Sequence, residues 1–226
     1  MRSTAVLIFA NSSEEELQYK PIQHGEVLFD ALTKQTLKKV EKTSLSYFHI
    51  TEEQQEGSSF GERFTNAIQN VFDLGFEKVI TIGNDTPHLR SKDIRNAAAA
   101  LISGKTVIGP SLDGGFYLMG IHRDNFDPDH FVNLPWQQIG LYNALLQNLE
   151  RKNCTIYNLP VRSDIDDFQD IKTLSNYIKS LPVTIRAILN VYLRIANSIY
   201  LFVKEFYTTF YTELPSNKGS PLLFQV

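Results

Sequence analysis

Lys78-Val79-Ile80-Thr81-Ile82-Gly83-Asn84-Asp85-Thr86-Pro87 and, after a helical segment, Thr106-Val107-Ile108-Gly109-Pro110-Ser111-Leu112-Asp113-Gly114-Gly115-Phe116-Tyr117-Leu118-Met119-Gly120-Ile121 decide how this chain reads. Twice an apolar strand-like run ends in glycine and polar residues that include a carboxylate. Open α/β sheets place their chemistry at the carboxyl ends of such strands. A carboxylate there, beside backbone that glycine lets a ligand approach, suits a hard divalent cation bridging to phosphate. Each motif also has a plainer reading. Asp85 before Thr86-Pro87 serves equally as a turn former or helix cap. Asp113-Gly114 is a common hairpin turn.

Working outward, strand and helix patterns alternate. Ala5–Ala10 is a continuous apolar run, as in a strand buried on both faces, and too short for the apolar core of a signal peptide with its cleavage site. Gly25–Lys42 and Phe60–Leu74 carry apolar residues at helical spacing, and Gly75 stops the second. Leu45–Ile50, Lys78–Ile82, Thr106–Gly109, Phe116–Ile121 and Cys154–Leu159 read as strands. Ser91–Ser103, with Ser91 as N-cap, Gln137–Lys152 and Asp167–Ser180 read as helices. This alternation predicts an α/β fold with a mostly parallel sheet covered on both faces. After Pro182 the pattern changes to one long apolar-rich helix over Thr184–Phe210 and a loose tail. The expected division is therefore an α/β unit over 1–181 and a C-terminal amphipathic helix and tail over 182–226.

Composition narrows the classes. The chain has 226 residues, 42% of them hydrophobic, and a formal net charge of −3, which gives no general attraction to nucleic acid. Its one cysteine, Cys154, excludes an intrachain disulfide and fits a reducing compartment, so a cytoplasmic location is expected. The stripe Ile185, Ile188, Leu189, Tyr192, Ile195, Ile199, Phe202, Phe206 and Phe210 needs cover. Its own α/β unit, a second copy in a homodimer, or contact with a membrane surface would each provide it. Arg194 and Lys204 keep it short of the roughly 20 apolar residues of a bilayer span.

A third acidic cluster lies downstream, Asp164-Ile165-Asp166-Asp167-Phe168-Gln169-Asp170. It precedes a helix, so some of these acids cap that helix, and extended backbone would put Asp164 and Asp166 on one side. From Gly57 to Leu174 the order of motifs resembles a bacterial glycosyltransferase family that began as a domain of unknown function. Its members are often labelled radical-SAM/selenodomain-associated transferases, and it lies in the GT-A-like nucleotide-diphospho-sugar transferase superfamily. The matching pieces are Gly61-Glu62-Arg63-Phe64, Gly83 to Pro87, Gly109 to Gly120, Leu134-Pro135-Trp136 and Asp164 to Ile171.

The resemblance implies a GT-A-like three-layer α/β/α sandwich, to which the apolar pattern after Pro182 adds a C-terminal helical extension. It implies that Asp85 binds a metal, Mg²⁺ or Mn²⁺, which Asp164 and Asp166 approach from a neighbouring strand end. Arg63 would offer a forked donor to phosphate or base, unless it forms a surface salt bridge. Asn84 and Thr86 beside Asp85, and Gly114 and Gly115 beside Asp113, would line the nucleotide and acceptor sides of one cleft. Asp113 is the expected catalytic base, and Trp136 would either stack on an acceptor or pack into the core.

One departure stands out. Many members carry a basic Lys-Thr-Arg-type segment after the first strand, where this chain has Asn11-Ser12-Ser13-Glu14-Glu15-Glu16 before Leu17-Gln18-Tyr19-Lys20. Successive glutamates repel a diphosphate, and Lys20 is the candidate replacement for the lost base. The expected activity is metal-dependent glycosyl transfer from a nucleotide sugar to an unidentified acceptor. Nucleotidyl transfer to a phosphorylated precursor and non-catalytic nucleotide binding are the alternatives.

Overall fold

The computed structural model describes residues 2–20, 22–23, 25–175, 179 and 181–194. In chain order these hold β1 (Arg2–Phe9), α1 (Ser13–Tyr19), α2 (Glu26–Glu41), β2 (Ser46–Ile50), α3 (Phe60–Asp73), β3 (Phe76–Ile82) and α4 (Ser91–Ile102). Then follow β4 (Thr106–Pro110), β5 (Phe116–His122), α5 (Pro128–Val132), α6 (Leu141–Arg151), β6 (Ile156–Asn158) and α7 (Phe168–Ser175). The backbone of residues 183–194 is helical as well.

The six strands form one sheet in the order β2-β1-β3-β5-β4-β6. β1 runs parallel to β2 and β3, β4 runs parallel to β6, and β5 is antiparallel to both β3 and β4. The sheet is thus mostly parallel, with one reversed strand inside it. Helices cover both faces, giving the expected three-layer sandwich.

Strict alternation sorts the strand side chains between the two layers. Ala5 and Leu7 of β1, Val79 of β3, Ile108 of β4 and Met119 and Ile121 of β5 pack with Phe64, Ile68, Phe72 and Leu145 of α3 and α6. Val6, Ile8, Ile80, Ile82, Val107 and Leu118 face the other way, onto Ile94, Ala97 and Leu101 of α4. Each Val, Leu, Ile, Phe or Met among them contributes roughly 1.5–3 kcal/mol through burial. That is why β1 reads as an unbroken apolar run rather than an alternating one.

Three local expectations are corrected. Ser91 is the first helical residue and not the cap of α4: the amide of Arg90 donates to Asp93 Oδ2 at 3.0 Å. The helix expected from Gln137 begins only at Leu141, because Gln137 (φ 59°) and Gly140 (φ 104°) are left-handed. The strand expected over Cys154–Leu159 shrinks to β6. Helix α1 was not anticipated. Its sign was the Ser12-x-x-Glu15 spacing, and the Glu15 amide does donate to Ser12 Oγ at 3.2 Å.

A third apolar cluster lies beside the sheet. Leu28, Phe29 and Leu32 of α2 pack there with Ile165, Ile171 and Leu174 and with Leu181, Ile185 and Leu189. The described beginning of the C-terminal stripe therefore covers its own α/β unit. The remainder of that stripe, from Ile195 onward, lies outside the described residues. Among the described residues no helix is long and apolar enough to cross a membrane. Leu189 is fully buried, so Leu189→Ala should destabilise the chain by about 2–4 kcal/mol. A thermal melt should fall by roughly 5–10 °C; an unchanged melting temperature would mean that residues 183–194 do not belong to the core.

Candidate functional site

β2 lies on one side of β1 and β3 on the other. The segments that leave β1 and β3, carrying Ala10 and Asn11 on one side and Gly83 to Asp85 on the other, border a crevice at the carboxyl ends of these strands. It is a cleft of about 600 Å³. Of the residues singled out in the sequence, Lys20, Arg63, Asn84, Asp85, Asp113, Gly115, Trp136, Asp164 and Asp166 line it. Thr86 and Gly114 do not. The Thr86 hydroxyl donates to Asp164 Oδ1 at 2.5 Å, so it reaches the cleft only through that carboxyl. Gly114 (φ 93°) makes the turn after β4, and its carbonyl accepts from the Tyr142 amide at 3.0 Å.

Three acids of the cleft, Asp85, Asp166 and Glu16, converge on one cation, the ammonium of Lys20. Lys20 Nζ lies 2.6 Å from Asp85 Oδ2, 3.1 Å from Asp166 Oδ1 and 3.3 Å from Glu16 Oε2. It also donates to the Ile165 carbonyl at 3.2 Å. Lys20 closes α1 and Glu16 stands one turn before it, an i,i+4 pair that only the unanticipated helix creates. Burial works against the Lys20 charge, but Asp85, Glu16 and Asp166 outweigh it and hold the ammonium well above the usual lysine range. Burial pushes the Glu16 carboxyl upward, against the pull of Lys20.

Asp164 stands apart from this set. Burial and the neighbouring Asp85 push its carboxyl up to about 8, although the Thr86 hydroxyl opposes them. Among the described residues no group of three or more His, Cys, Asp or Glu side chains is arranged as a metal site.

Asp113 belongs to the turn between β4 and β5 and also lines the cleft, so both readings of Asp113-Gly114 hold. Its Oδ1 accepts from the Ser111 hydroxyl and from the Gly115 amide, the latter at 3.0 Å. Arg63 projects from the first turns of α3, and its Nε donates to Gln55 Oε1 at 3.2 Å. Among the described residues it has no carboxylate within ion-pair distance. Trp136 packs into the core edge of the cleft. Its ring lies 5.1–6.0 Å from those of Phe60, Phe64 and Phe116, and its indole N–H donates to the Phe131 carbonyl at 2.7 Å. Gly61 makes this possible, because a Cβ there would fall 2.6 Å from the Trp136 ring.

Glu52 was not foreseen. Its carboxylate accepts from the Ser12 amide at 2.7 Å and the Ser12 hydroxyl at 2.6 Å, closing the N-terminal end of α1. No spacing signals this contact, because the two residues meet only through the pairing of β1 with β2.

A strap over residues 162–166 ties the loops together. The Arg162 amide donates to the Pro110 carbonyl and the Leu112 amide to the Arg162 carbonyl, at 3.1 and 3.0 Å. Three residues on, the Ile165 amide donates to the Asp85 carbonyl at 3.1 Å. Arg162 Nη2 anchors the strap on the buried Asp93, 2.7 Å away. Burial raises the Asp93 carboxyl, but the hydrogen bonds from Arg90 and the Arg162 charge bring it below its ordinary 3.8. A depressed carboxyl stabilises the fold above its ordinary range, and that contribution is lost as pH falls. Asp93→Asn should cost about 3–5 kcal/mol at neutral pH. The gap between variant and wild type in melting temperature should close as the pH falls below the ordinary carboxyl value of 3.8. A gap that widens as the pH is lowered would contradict this anchor.

A model of a family described as uncharacterised proteins conserved in bacteria (DUF2064) matches residues 15–138, more than half of the chain. The match includes Lys20, Arg63, Asp85 and Asp113 and stops before Asp164 and Asp166. No curated protein matches the chain. Among solved structures, it is similar to a candidate nucleotide-diphospho-sugar transferase from Desulfovibrio desulfuricans G20. The identity is 21% and the TM-score 0.71, over 88% of this chain and 96% of that one. The 4-diphosphocytidyl-2C-methyl-D-erythritol synthase of Anaerococcus prevotii DSM 20548 is more distant, at 14% identity and TM-score 0.48 over 79% and 96% of the two chains. A CMP:2-keto-3-deoxy-manno-octonic acid synthetase complexed with CTP stands at 9% and 0.46 over 79% and 99%. The first of these likenesses establishes the nucleotide-diphospho-sugar transferase fold.

Proposed function

The chain belongs to the DUF2064 family of uncharacterised bacterial proteins, and from its cleft we propose that it is a transferase taking a nucleotide-sugar donor. The observation that carries this reading is the meeting of Arg63, Asp85, Asp113, Asp164 and Asp166 in one cleft at the carboxyl ends of β1 and β3. Arg63, without an acid partner among the described residues, is the donor for a phosphate oxygen. Asp113, with one oxygen held by Ser111 and Gly115, is the base that takes the acceptor's proton. The acceptor oxygen then bonds to the sugar carbon as the bond from that carbon to the phosphate oxygen breaks.

Hard carboxylate oxygens are the donors that Mg²⁺ or Mn²⁺ prefers. The point on which Asp85, Asp166 and Glu16 converge is, however, held by the Lys20 ammonium. As they stand these residues do not fit the ion. Nucleotidyl transfer is the weaker reading. A triphosphate needs positive charge after β1, where α1 brings Glu15 and Glu16 to the cleft and Glu52 already accepts from Ser12.

Thermal melts with UDP, CDP, GDP, ADP and their sugar conjugates test the donor. A ligand at about 100 times its Kd stabilises by about 2.7 kcal/mol, and the single tryptophan, Trp136, lies at the cleft to report binding by its emission. Arg63→Met should weaken the best nucleotide by about tenfold. If none of these nucleotides shifts the melt at millimolar concentration, the cleft is not a nucleotide site. With an acceptor in hand, Asp113→Asn should lower turnover by about 100-fold or more while leaving donor affinity within a few-fold. Equal losses in both would remove Asp113 from the chemistry.

A further inference from the structure

We propose that Lys20 is a built-in counter-ion standing where a divalent cation would sit, so that the ammonium and such a cation compete for the same carboxylates. This concerns the cation of the cleft and takes its meaning, though not its test, from the reading of that cleft as a phosphate-handling site.

Three observations carry it. The first is convergence: acids from three separate segments, α1, the loop after β3 and the strap, meet at one nitrogen. Asp85, Asp166 and Glu16 all lie within 3.3 Å of it. A side chain that merely needed a partner would find one acid, not three. The second is scale. The nitrogen–oxygen separations of 2.6–3.3 Å are hydrogen-bond lengths, whereas Mg²⁺ sits about 2.0–2.1 Å from its oxygens. The acids are therefore spaced for an ammonium, and a metal would have to draw them inward after Lys20 had left. The third is enclosure. The Lys20 side chain is only 13% exposed, and its fourth contact is the carbonyl of Ile165. A tethered cation of this kind acts at high effective concentration against any ion from solution.

One ammonium facing three acids leaves the cluster short of positive charge. That shortage is what a divalent cation would relieve once the lysine is removed. The inference thus makes a directional claim: taking away a cation creates a cation site.

The test uses Mn²⁺ alone, titrated into the full chain and followed by the electron paramagnetic resonance of the free ion. Wild type should show no stoichiometric site. Lys20→Met should bind one Mn²⁺ about tenfold or more tightly than wild type, and Asp85→Asn in that background should abolish the gain. Millimolar Mn²⁺ should raise the melting temperature of Lys20→Met and leave wild type unmoved. Removing the lysine strands three acids, so the single variant can misfold. Folding restored by Mn²⁺ would then support the proposal. The double variant Glu16→Gln with Lys20→Met, which discards one acid with the base, should gain the same site. The proposal is overturned if wild type itself binds one Mn²⁺ tightly and loses it in Asp85→Asn, or if a folded double variant binds none. Because the ion is the only probe, these outcomes do not depend on whether the cleft accepts a nucleotide.

Discussion

Carboxylates that share one half-buried crevice repel one another, and the structure around this cleft answers to that fact. Two charges about 4 Å apart at an effective dielectric near 20 interact by about 4 kcal/mol. Glu16, Asp85 and Asp166 are held together because Lys20 stands among them. The position of Lys20 is in turn set by α1, which starts at the Ser12 cap and ends one turn after Glu16. A short helix that looks incidental in the topology therefore decides the electrostatics of the cleft. Asp164 shows the opposite solution. Among the described residues no cation pairs with it, and burial and Asp85 favour its neutral form against the hydrogen bond that the Thr86 hydroxyl donates.

The strap over residues 162–166 is the mechanical counterpart of this charge arrangement. It hydrogen-bonds the loop after β4 at Pro110 and Leu112 and the loop after β3 at Asp85. The turn that carries Asp113 and the loop that carries Asp85 thereby share one support. Arg162 fixes that support on Asp93, whose carboxylate also accepts from the Arg90 amide at the start of α4. The acids of the cleft are thus placed by hydrogen bonds to rigid elements and not by loops left to find their own geometry.

Much of this was legible from residue order. Unbroken apolar runs such as Val6-Leu7-Ile8 mark strands covered on both faces, and the carboxylates at the ends of β3 and β4 fall where an α/β sheet gathers its chemistry. β5 is antiparallel because the turn Ser111–Gly115 is too short for a crossover connection, and the hairpin signal of Asp113-Gly114 marks it although Phe116–Ile121 has the same apolar character as its parallel neighbours. What could not be read is equally physical. The start of α6 is set by two left-handed residues, and Gln137 gives no hint of that conformation. By residue order alone Lys20, after three glutamates, is a candidate replacement for a phosphate-binding base. Once α1 is in place, Glu16 and Lys20 share a face, and the ammonium is turned to acids rather than left for a ligand.

The contacts at the two ends of α1 bear on what the cleft asks of a ligand. At its start, the Glu52 carboxylate takes the Ser12 amide and hydroxyl, groups that would otherwise suit a phosphate oxygen. At its end, Lys20 takes the acids that would otherwise suit a metal. Both polar ends of the helix are therefore satisfied by the protein's own charges. A phosphate arriving near Ser12 must compete with Glu52, and a cation arriving near Asp85 must compete with Lys20. Arg63 is the exception: it lines the same cleft with its Nε on the neutral Gln55 and its charge unmatched by a carboxylate among the described residues. An anionic ligand meets the least opposition at Arg63. Its first contact would therefore fall on the α3 side of the cleft, with α1 left in place unless the ligand's charge is enough to displace one of its two internal partners.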